Sequence, residues 1–541
     1  MIGMTVRAAR SCLASLALLL LAFAAGALAP LQQSWASPGL TPAEERGRQI
    51  YFDGTSPSGA PIIAYFGKDY LEVPGESATC TSCHGFDGLG RTESGVIPSN
   101  VTWQHLMKSY GHVHPDGRLH GAFTVESLKS YMRDGLYPGG VLGDPAMPVY
   151  EISEQDLDDL IAYMKRLGVH PDPGVSATAV RIGTIIPAEG AMAALGETLT
   201  ATVRASFADM KERGGVYGRN PELVVATIAS GQDLKSVFRR LMEEKQVFAL
   251  LNTFTPGQER ELETLAEEFH VPLVAPFAPV HTDDQLLHRY RFHLHGGVRE
   301  QSLGLVAFAI TKRGAGDPRI AIVYPARKEI EDVAVSVDDA CRAGGWQRVV
   351  RIFHAPGLFD AVATVSRLQA EQVEVVFFLG GEGESDSFFR EAGARAYIPS
   401  FFMPGFLLGK GISQVPAAFS GKVWLAFPSL PEDRKEWGLA EFNAVMGRQR
   451  VIVDNPTVQL TAFTGAELFL EGLRRAGRDL SRERFVETLE GVFEYDTGLA
   501  QAITYTKNRR IGTLGTHVVA VDPLQTGTEK FIVPQGWIDL E

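Results

Sequence analysis

The stretch Cys80–His84 has the sequence Cys-Thr-Ser-Cys-His, the most chemically specific spacing in the chain. Two thiols separated by two residues and followed at once by an imidazole meet the requirements for covalent attachment of haem c. Each thiol adds to one vinyl group, and the histidine ligates the iron. A bare Cys-x-x-Cys pair would be ambiguous between zinc, a redox dithiol and a disulfide. The motif therefore predicts one haem c bound through Cys80 and Cys83, with His84 as an axial ligand.

Two helices are predicted to bracket this motif. The first begins after Thr41, a residue type that caps helices, and continues with proline and acidic residues in its first turn. Gly47 and Tyr51 lie four positions apart and share a helix face, where the glycine permits a close approach. The second begins after Ser153, with apolar residues at helical spacing and Tyr163 beside them. The two helices and the motif are expected to form one compact unit.

This unit, about residues 40–170, resembles the class I c-type cytochromes. The resemblance implies an all-α domain whose first and last helices cross through a glycine and aromatic contact. It also implies that the sixth iron ligand is a methionine on a loop shortly before the last helix. Met147 occupies that place. A methionine ligand raises the reduction potential relative to a second histidine, which favours electron transfer over oxygen chemistry.

Other side chains compete with Met147 for the iron. Met107 and Met132 lie in segments predicted as amphipathic helices, 103–110 and 125–134, where methionine usually fills a core. His112, His114 and His120 lie in a loop that would have to fold over the haem. An open sixth position is a further alternative.

The first 36 residues have the features of an export signal. A short basic region precedes an apolar run from Ala14 to Ala29, and small residues follow at the positions a signal peptidase reads. An uncleaved membrane anchor is the competing interpretation, although the apolar run is short for a span. We expect a soluble, periplasmic protein that is not integral to the membrane. Cys341 would remain outside the haem motif, buried on a helix, and no structural disulfide is predicted.

The composition is that of a folded protein of several domains. The 541 residues contain 45% hydrophobic and 21% charged residues, and the formal net charge is −13. An acidic surface argues against nucleic acid and anionic membranes as partners. It is compatible with a basic redox partner protein, which the sequence does not identify.

The chain changes character after a connecting segment at 171–177 that contains proline and glycine. From residue 178 to 541, predicted strands and helices alternate, beginning with the strand 180–186 and resuming with a second series at Arg319. Such alternation implies parallel sheets covered by helices on both faces. Two such lobes in one chain suggest a ligand-binding cleft between them.

The region 178–541 resembles the type I periplasmic binding proteins, in particular the branched-chain amino acid and amide receptors. The resemblance lies in the order and spacing of modest features: the opening strand with Pro187, the passage 265–276, Arg299 and Gln301 before a crossover helix, and the segment 496–498. The predicted fold class is therefore multidomain. An all-α cytochrome c domain precedes a two-lobed α/β domain.

The resemblance also implies where a ligand would bind. In that family, hydroxyls and amides at a helix start after the third strand hold the ligand carboxylate, and Thr253 and Thr255 occupy that place. Phe254 and Phe277 are the other candidate ligand-binding residues. The second-lobe acid that pairs with an amino-acid ammonium has no counterpart in the stretch 402–406, where Phe402 is a further candidate. The ligand is therefore expected to be small and apolar or weakly polar, rather than an α-amino acid.

Three functions are compatible with these features, and the third, an enzyme that uses the haem for peroxide chemistry, requires an open sixth position on the iron. The first is electron transfer by a mono-haem cytochrome fused to a receptor-like domain, without enzymatic activity. The second is a substrate-binding or sensing protein of the ABC-transporter type with an auxiliary haem. His293 and His295 alternate on a predicted strand and are a weak candidate for a metal site, because no third ligand accompanies them. No constellation of residues for hydrolysis is found.

Overall fold

The computed structural model describes residues 40–540, except 86, 91–97, 115–116, 168–171, 279–287, 315 and 409–414. The predicted export signal lies outside these residues. No helix in the described part is both long and apolar enough to cross a membrane.

The haem-motif region is built on helices, with two small antiparallel sheets added. Its helices are α1 (Pro42–Asp53), α2 (Cys80–His84), α3 (Trp103–Leu106), α4 (Val125–Asp134) and α5 (Glu154–Met164). Its strands are β1 (Ile63–Phe66), β2 (Leu71–Pro74), β3 (His112–Val113), β4 (Leu119–His120) and β5 (Val149–Glu151). The strands form a sheet of order β2-β1-β5 and a β3-β4 hairpin.

Helices α1 and α5 cross closely, as the resemblance predicted. Thr41 caps α1 through a reciprocal bond with Glu44, and Ser153 caps α5 by accepting from the amide of Asp156. A Cβ at Gly47 would lie 1.8 Å from the carbonyl oxygen of Asp159, so only glycine fits at the crossing. The ring of Tyr51 lies 5.6 Å from that of Tyr163. The contact between glycine and aromatic residues therefore joins the first and last helices.

The sheets were not predicted from the sequence. The segment between α1 and the motif supplies β1 and β2, and β1 pairs with β5, directly before α5. The helix predicted over 103–110 ends at Leu106, because His112 Nε2 donates to the Leu106 carbonyl as the chain turns into β3. The domain is therefore helical where α1 and α5 cross, and it forms β-strands in the segments between its helices.

The first α/β lobe contains a six-stranded sheet of order β16-β10-β9-β8-β6-β7, parallel throughout. Its strands are β6 (Ala179–Pro187), β7 (Asn220–Ile228), β8 (Ala249–Leu251), β9 (Leu273–Val274), β10 (Arg291–His295) and β16 (Ile511–Thr513). Its helices are α6 (Ala191–Glu212), α7 (Leu234–Glu243), α8 (Glu259–Glu268), α15 (Pro456–Ala476) and α16 (Arg482–Glu490). Separate apolar clusters cover the two faces of this sheet.

The second lobe contains a seven-stranded sheet of order β12-β11-β13-β14-β15-β17-β18, parallel from β12 to β15 and antiparallel beyond. Its strands are β11 (Ile320–Pro325), β12 (Val349–His354), β13 (Val375–Phe378), β14 (Ser400–Pro404), β15 (Val423–Phe427), β17 (Gly515–Val521) and β18 (Phe531–Asp539). The remaining helices are α9 (Val298–Arg313), α10 (Lys328–Ala343), α11 (Ala361–Ala370), α12 (Glu382–Ala394), α13 (Gly405–Leu408) and α14 (Glu436–Arg448). Cys341 is fully buried on α10, as expected.

The connecting segment before β6 is part of the first lobe rather than a free tether. Val175 is buried in the core of the sheet, and the amide of Arg181 donates to the carbonyl of Gly174 at 2.8 Å. Asp172 accepts a hydrogen bond from the backbone amide of Arg482. The described part of this segment therefore holds the haem-motif domain against the lobe.

Candidate haem site and ligand cleft

His84 is oriented for metal ligation. It is buried, and its Nδ1 donates to the carbonyl oxygen of Ser99 at 2.8 Å. Its Nε2 is also buried, yet no described residue provides it with a hydrogen-bond partner. Burial lowers the pKa of His84, although the bond to Ser99 opposes that shift. A neutral imidazole held at Nδ1 with its Nε2 left over is the arrangement of a histidine ligand to iron.

The backbone around the motif holds this geometry. Cys80, Cys83 and His84 share the short helix α2, and both cysteines are free thiols at the edge of the core. Tyr51 donates to the carbonyl of Gly85 at 2.8 Å, which ties α1 to the end of the motif. Gly90 has a φ of +80°, and a Cβ there would lie 2.3 Å from the carbonyl oxygen of Pro98. The residues present therefore fit a covalently attached haem c.

Met147 lies in a half-buried turn directly before β5. Its amide donates to the carbonyl of Asp144 at 2.9 Å. Tyr150, three residues further on, donates to the carbonyl of Ala78 at 2.8 Å, next to the start of α2. The turn is thus tied to the haem motif, and the role of Met147 as the sixth ligand stays a prediction.

The three candidate histidines form an aromatic cluster with His105 and Tyr137. The ring of His120 stacks on that of Tyr137 at 4.1 Å and lies 4.9 Å from the ring of His112. His120 Nδ1 donates to the carbonyl of Gly121. His114 Nδ1 lies 3.5 Å from Ser99 Oγ, and Ser99 is the residue that holds His84 at Nδ1. His114 of the cluster and His84 therefore contact the same residue, Ser99, through its hydroxyl and its carbonyl respectively.

The haem-motif domain contacts the first lobe through α1. The ring of Phe52 stacks on that of His270 at 5.5 Å, and the guanidinium of Arg48 lies 4.7 Å above Phe52 and contacts His270 Nδ1. Burial, together with the positive charge of Arg48, lowers the pKa of His270 to about 3. Thr81, within the motif, donates to the carbonyl of Phe52 at 3.5 Å. Phe52 therefore links the contact with the first lobe to Thr81, the residue next to Cys80.

Thr253 and Thr255 lie together at one small cavity of the first lobe, and their role in ligand binding stays a prediction. Both line a cavity of about 10 Å³, room for one group the size of a water molecule, and Phe277 lines it as well. The side chain of Thr253 is 1% exposed, and its Oγ1 has no hydrogen-bond partner among the described residues. The cavity therefore presents an unused hydroxyl.

The other predicted aromatic residues lie outside this cavity. Phe254 packs in a small core with Leu199 and meets Phe277 edge to face at 5.5 Å. Phe402 is stacked between Phe377 and Trp424 in the core of the second lobe. These two rings support the walls of the cleft rather than its floor.

Sequence reasoning missed two glutamates that line the same cavity. Glu259 and Glu263 lie four positions apart in α8, so both face the cavity. Glu263 contacts Arg291 Nη1 at 2.5 Å and His293 Nε2 at 3.1 Å. Burial raises the pKa of Glu259, and the neighbouring carboxylates Glu263 and Glu329 raise it further, although amides of its own turn oppose the shift. Their position shortly after the predicted threonines was a weak signal, because the four-residue spacing is also that of ordinary surface acids.

His293 and His295 do not form a metal site with a third ligand. His293 contacts Glu263, whereas His295 Nδ1 lies 2.9 Å from Thr513 Oγ1. Among the described residues, no group of three or more histidine, cysteine, aspartate or glutamate side chains is placed to hold a metal ion.

An ion pair joins the two lobes across the mouth of the cleft. Arg260 on α8 lies 3.4 Å from Asp332 and 4.0 Å from Glu329, both on α10 of the second lobe. The two lobes are therefore in contact close to Glu259, the neighbour of Arg260 in the chain.

Comparisons with known proteins assign both regions to families. The profile described as "Periplasmic binding protein" matches residues 179–527, and the chain belongs to that family. The profile described as "Cytochrome c" matches residues 76–168, so the haem-motif region is a cytochrome c domain. That family carries covalently bound haem c and transfers electrons, as the motif predicted. The predicted fold class is confirmed.

Among curated proteins, the chain is similar to the "Leu/Ile/Val-binding protein homolog 7" of Brucella abortus (strain 2308). The two are 22% identical over 312 residues, which covers 55% of this chain and 77% of the relative. Proteins with the same description from other Brucella strains match to a similar extent.

Two solved structures are examples of proteins whose folds resemble that of the α/β region. One is a fatty acid ABC transporter substrate-binding protein from Thermomonospora curvata, with a TM-score of 0.54 and 18% identity over 69% of this chain and 95% of that one. The other is a branched-chain amino acid ABC transporter protein from Thermus thermophilus with bound valine, with a TM-score of 0.53 and 17% identity over 68% of this chain and 97% of that one. At this identity they establish the fold and not the ligand.

Proposed function

We propose that the protein is a periplasmic, mono-haem c-type cytochrome that transfers electrons to or from a partner protein. Its receptor-like domain binds a small molecule and has no catalytic role. The observation that carries the proposal is His84, whose Nδ1 is held by Ser99 while its buried Nε2 is left for a ligand. Haem c held there supplies a one-electron couple. The Ser99 carbonyl fixes the orientation of the His84 ring, and Cys80 and Cys83 would attach the haem covalently.

Met147 is proposed as the sixth ligand. The histidines of the cluster are engaged with one another and with Tyr137, and His114 contacts Ser99, which accepts from His84 Nδ1 rather than Nε2. Met147 lies on a different segment, which Tyr150 ties to the start of the motif. A thioether at this position would favour a high potential and a closed coordination sphere, which supports electron transfer rather than peroxide chemistry.

The protein purified after periplasmic expression tests both statements. We expect a covalent haem c spectrum with a stoichiometry of one, reversible reduction, and a ferric methionine-to-iron charge-transfer band. Met147→Leu should abolish that band and lower the potential, because the thioether is removed while the volume is kept. Met107→Leu is the matched control and should change neither. A protein without covalent haem, or a Met147→Leu variant that keeps the band, would contradict the proposal.

A second candidate function is favoured by the comparisons with ABC-transporter proteins. In that case the receptor domain delivers a ligand to a permease and the haem is auxiliary. The packing of the cytochrome domain against the first lobe, through Phe52 and His270, supports communication between the two. A ligand-dependent haem potential would indicate coupling, because binding free energies are reciprocal. A ligand that binds tightly without shifting the potential would favour the transport function.

A further inference from the structure

We propose that the cavity at the start of α8 binds the primary ammonium group of a small organic cation. The inference rests on the proposed receptor function of the α/β domain and names its ligand class. It replaces the apolar or weakly polar ligand expected from the sequence, because two carboxylates line the cavity.

The charges around the cavity are unbalanced. Glu263 is neutralised by Arg291 at 2.5 Å, a contact buried on both sides. Glu259 makes no ion pair with any described residue. The charged groups that perturb it are other carboxylates, Glu263 and Glu329. Glu259 is half-buried, and a carboxylate that is partly shielded from water among like charges favours a cation and opposes an anion.

A polar group in the cavity also lacks a partner. Thr253 lines the cavity, and its buried Oγ1 accepts no hydrogen bond from a described residue. Nearly all buried polar groups in native proteins are satisfied, so an unused hydroxyl beside an unpaired carboxylate points to a donor from outside the chain. A primary ammonium offers three donors and one positive charge.

The size and the rest of the lining select the kind of cation. The cavity admits one group the size of water, which an –NH₃⁺ group matches and a quaternary ammonium exceeds. Leu262, Pro276 and Phe277 contribute apolar atoms to the lining, and the alkyl chain of the ligand would extend beyond the cavity, which has room for the ammonium group alone. The described residues contain no set of three metal-ligating side chains, which favours an organic cation over a metal ion.

The same features oppose an amino-acid carboxylate in this position. In the receptor group that the chain resembles, hydroxyls and amides at this helix start hold the carboxylate. Here Glu259 is the first residue of α8 and occupies the positive end of the helix dipole itself. A ligand carboxylate at this position would be repelled by the Glu259 carboxylate, and it could bind only if the Glu259 side chain moved away.

Isothermal titration calorimetry of the full haem-loaded protein tests the proposal with four probes at matched ionic strength. The probes are isobutylammonium, tetramethylammonium, valine and isovalerate, so that isobutylammonium is valine without its carboxylate. We expect isobutylammonium to bind and the other three to bind at least about tenfold more weakly, the discrimination expected when a charge-assisted bond is lost. Valine or isovalerate binding as tightly as isobutylammonium would overturn the inference, and so would the absence of isobutylammonium binding.

Variants locate the binding. Glu259→Gln keeps the shape and removes the charge, and it should weaken isobutylammonium binding by about tenfold or more. Glu261→Gln is the matched control, because Glu261 lies on the exposed face of the same helix. Thr253→Val should weaken binding while the protein stays folded, as judged by its melting temperature without ligand. Equal affinities of Glu259→Gln and Glu261→Gln would overturn the site.

Failure of this inference can be told apart from failure of the proposed function. Tight binding of valine would overturn the cation site and leave the receptor and electron-transfer roles standing. A missing haem spectrum would overturn electron transfer, whatever the calorimetry gives.

Discussion

The contact between the cytochrome domain and the first lobe predicts a pH dependence of stability that one histidine controls. His270 is largely buried against Phe52, and burial together with Arg48 lowers its pKa to about 3. In the unfolded chain the same group titrates near 6.5. Between these values the unfolded state binds a proton that the folded state does not, so the free energy of unfolding falls as the pH falls.

The magnitude follows from the two pKa values. At pH 7.5 both states are almost fully deprotonated at His270, and its contribution is close to zero. At pH 5.0 the folded state is still deprotonated, whereas the unfolded state is protonated, and the difference costs about 2 kcal/mol. The free energy of unfolding has lost this contribution in full only at pH values below the pKa of His270 in the folded state.

Denaturation of wild type and His270→Asn at pH 7.5 and 5.0 checks this figure. Asparagine suits the position because the residue has a φ of +50° and asparagine tolerates that conformation. All other titrating groups are common to both proteins and cancel in the comparison. We expect His270→Asn to lose about 2 kcal/mol less than wild type between the two pH values.

A second variant tests the cause. The groups that act on His270 beside burial are the guanidinium groups of Arg48, Arg482 and Arg289. Arg48→Gln removes the guanidinium that acts most strongly on His270, so the folded pKa should rise. The full pH-dependent loss should then be smaller than in wild type, which shows only at pH values near and below the folded pKa. Equal losses in wild type and His270→Asn would refute the assignment of the dependence to this contact.

Three further predictions concern packing and the cleft. Gly47→Ala places a Cβ against the Asp159 carbonyl and should destabilise the cytochrome domain by about 3 kcal/mol, measured by denaturation followed at the haem absorbance. Thr253→Val without ligand should raise the free energy of unfolding by about 1 kcal/mol, because a buried unsatisfied hydroxyl is removed, and a loss would argue that the hydroxyl is satisfied. Arg260→Ala should change stability by less than about 1 kcal/mol, since its ion pair with Asp332 is partly exposed; scattering in solution should then show whether the lobes separate.

Structural features that depend on a few consecutive residues could be predicted from the sequence. The haem motif depends on five consecutive residues, and the capped starts of α1 and α5 depend on four each. The alternation of strands and helices after residue 178 repeats often enough to indicate parallel sheets without exact boundaries. Helix α3 illustrates the limit: the sequence predicts a helix over 103–110, and the structure ends it at Leu106.

Features that depend on distant residues were not predictable. Strands β1 and β2 are four residues each, too short for a periodic signal, and β1 is completed by pairing with β5 far along the chain. Arg48 and His270 meet across 222 positions. Glu259 and Glu263 have the spacing of ordinary surface acids. Only the packing of α8 against β8 and β9 turns them toward the cavity.

Helix α8 relates the two proposed sites to each other. Its first turns carry Glu259 and Glu263 at the cavity, and two residues beyond its last turn His270 stacks on Phe52 of the cytochrome domain. Ten helical residues span about 15 Å, so one rigid element joins the ligand site to the domain that carries the haem motif. A cation that displaces α8 would move His270 against Phe52, which is bonded to Thr81 within the motif. Cation binding would then shift the haem potential, and reduction of the haem would change the affinity for the cation. Because binding free energies are reciprocal, the two effects would have the same free energy.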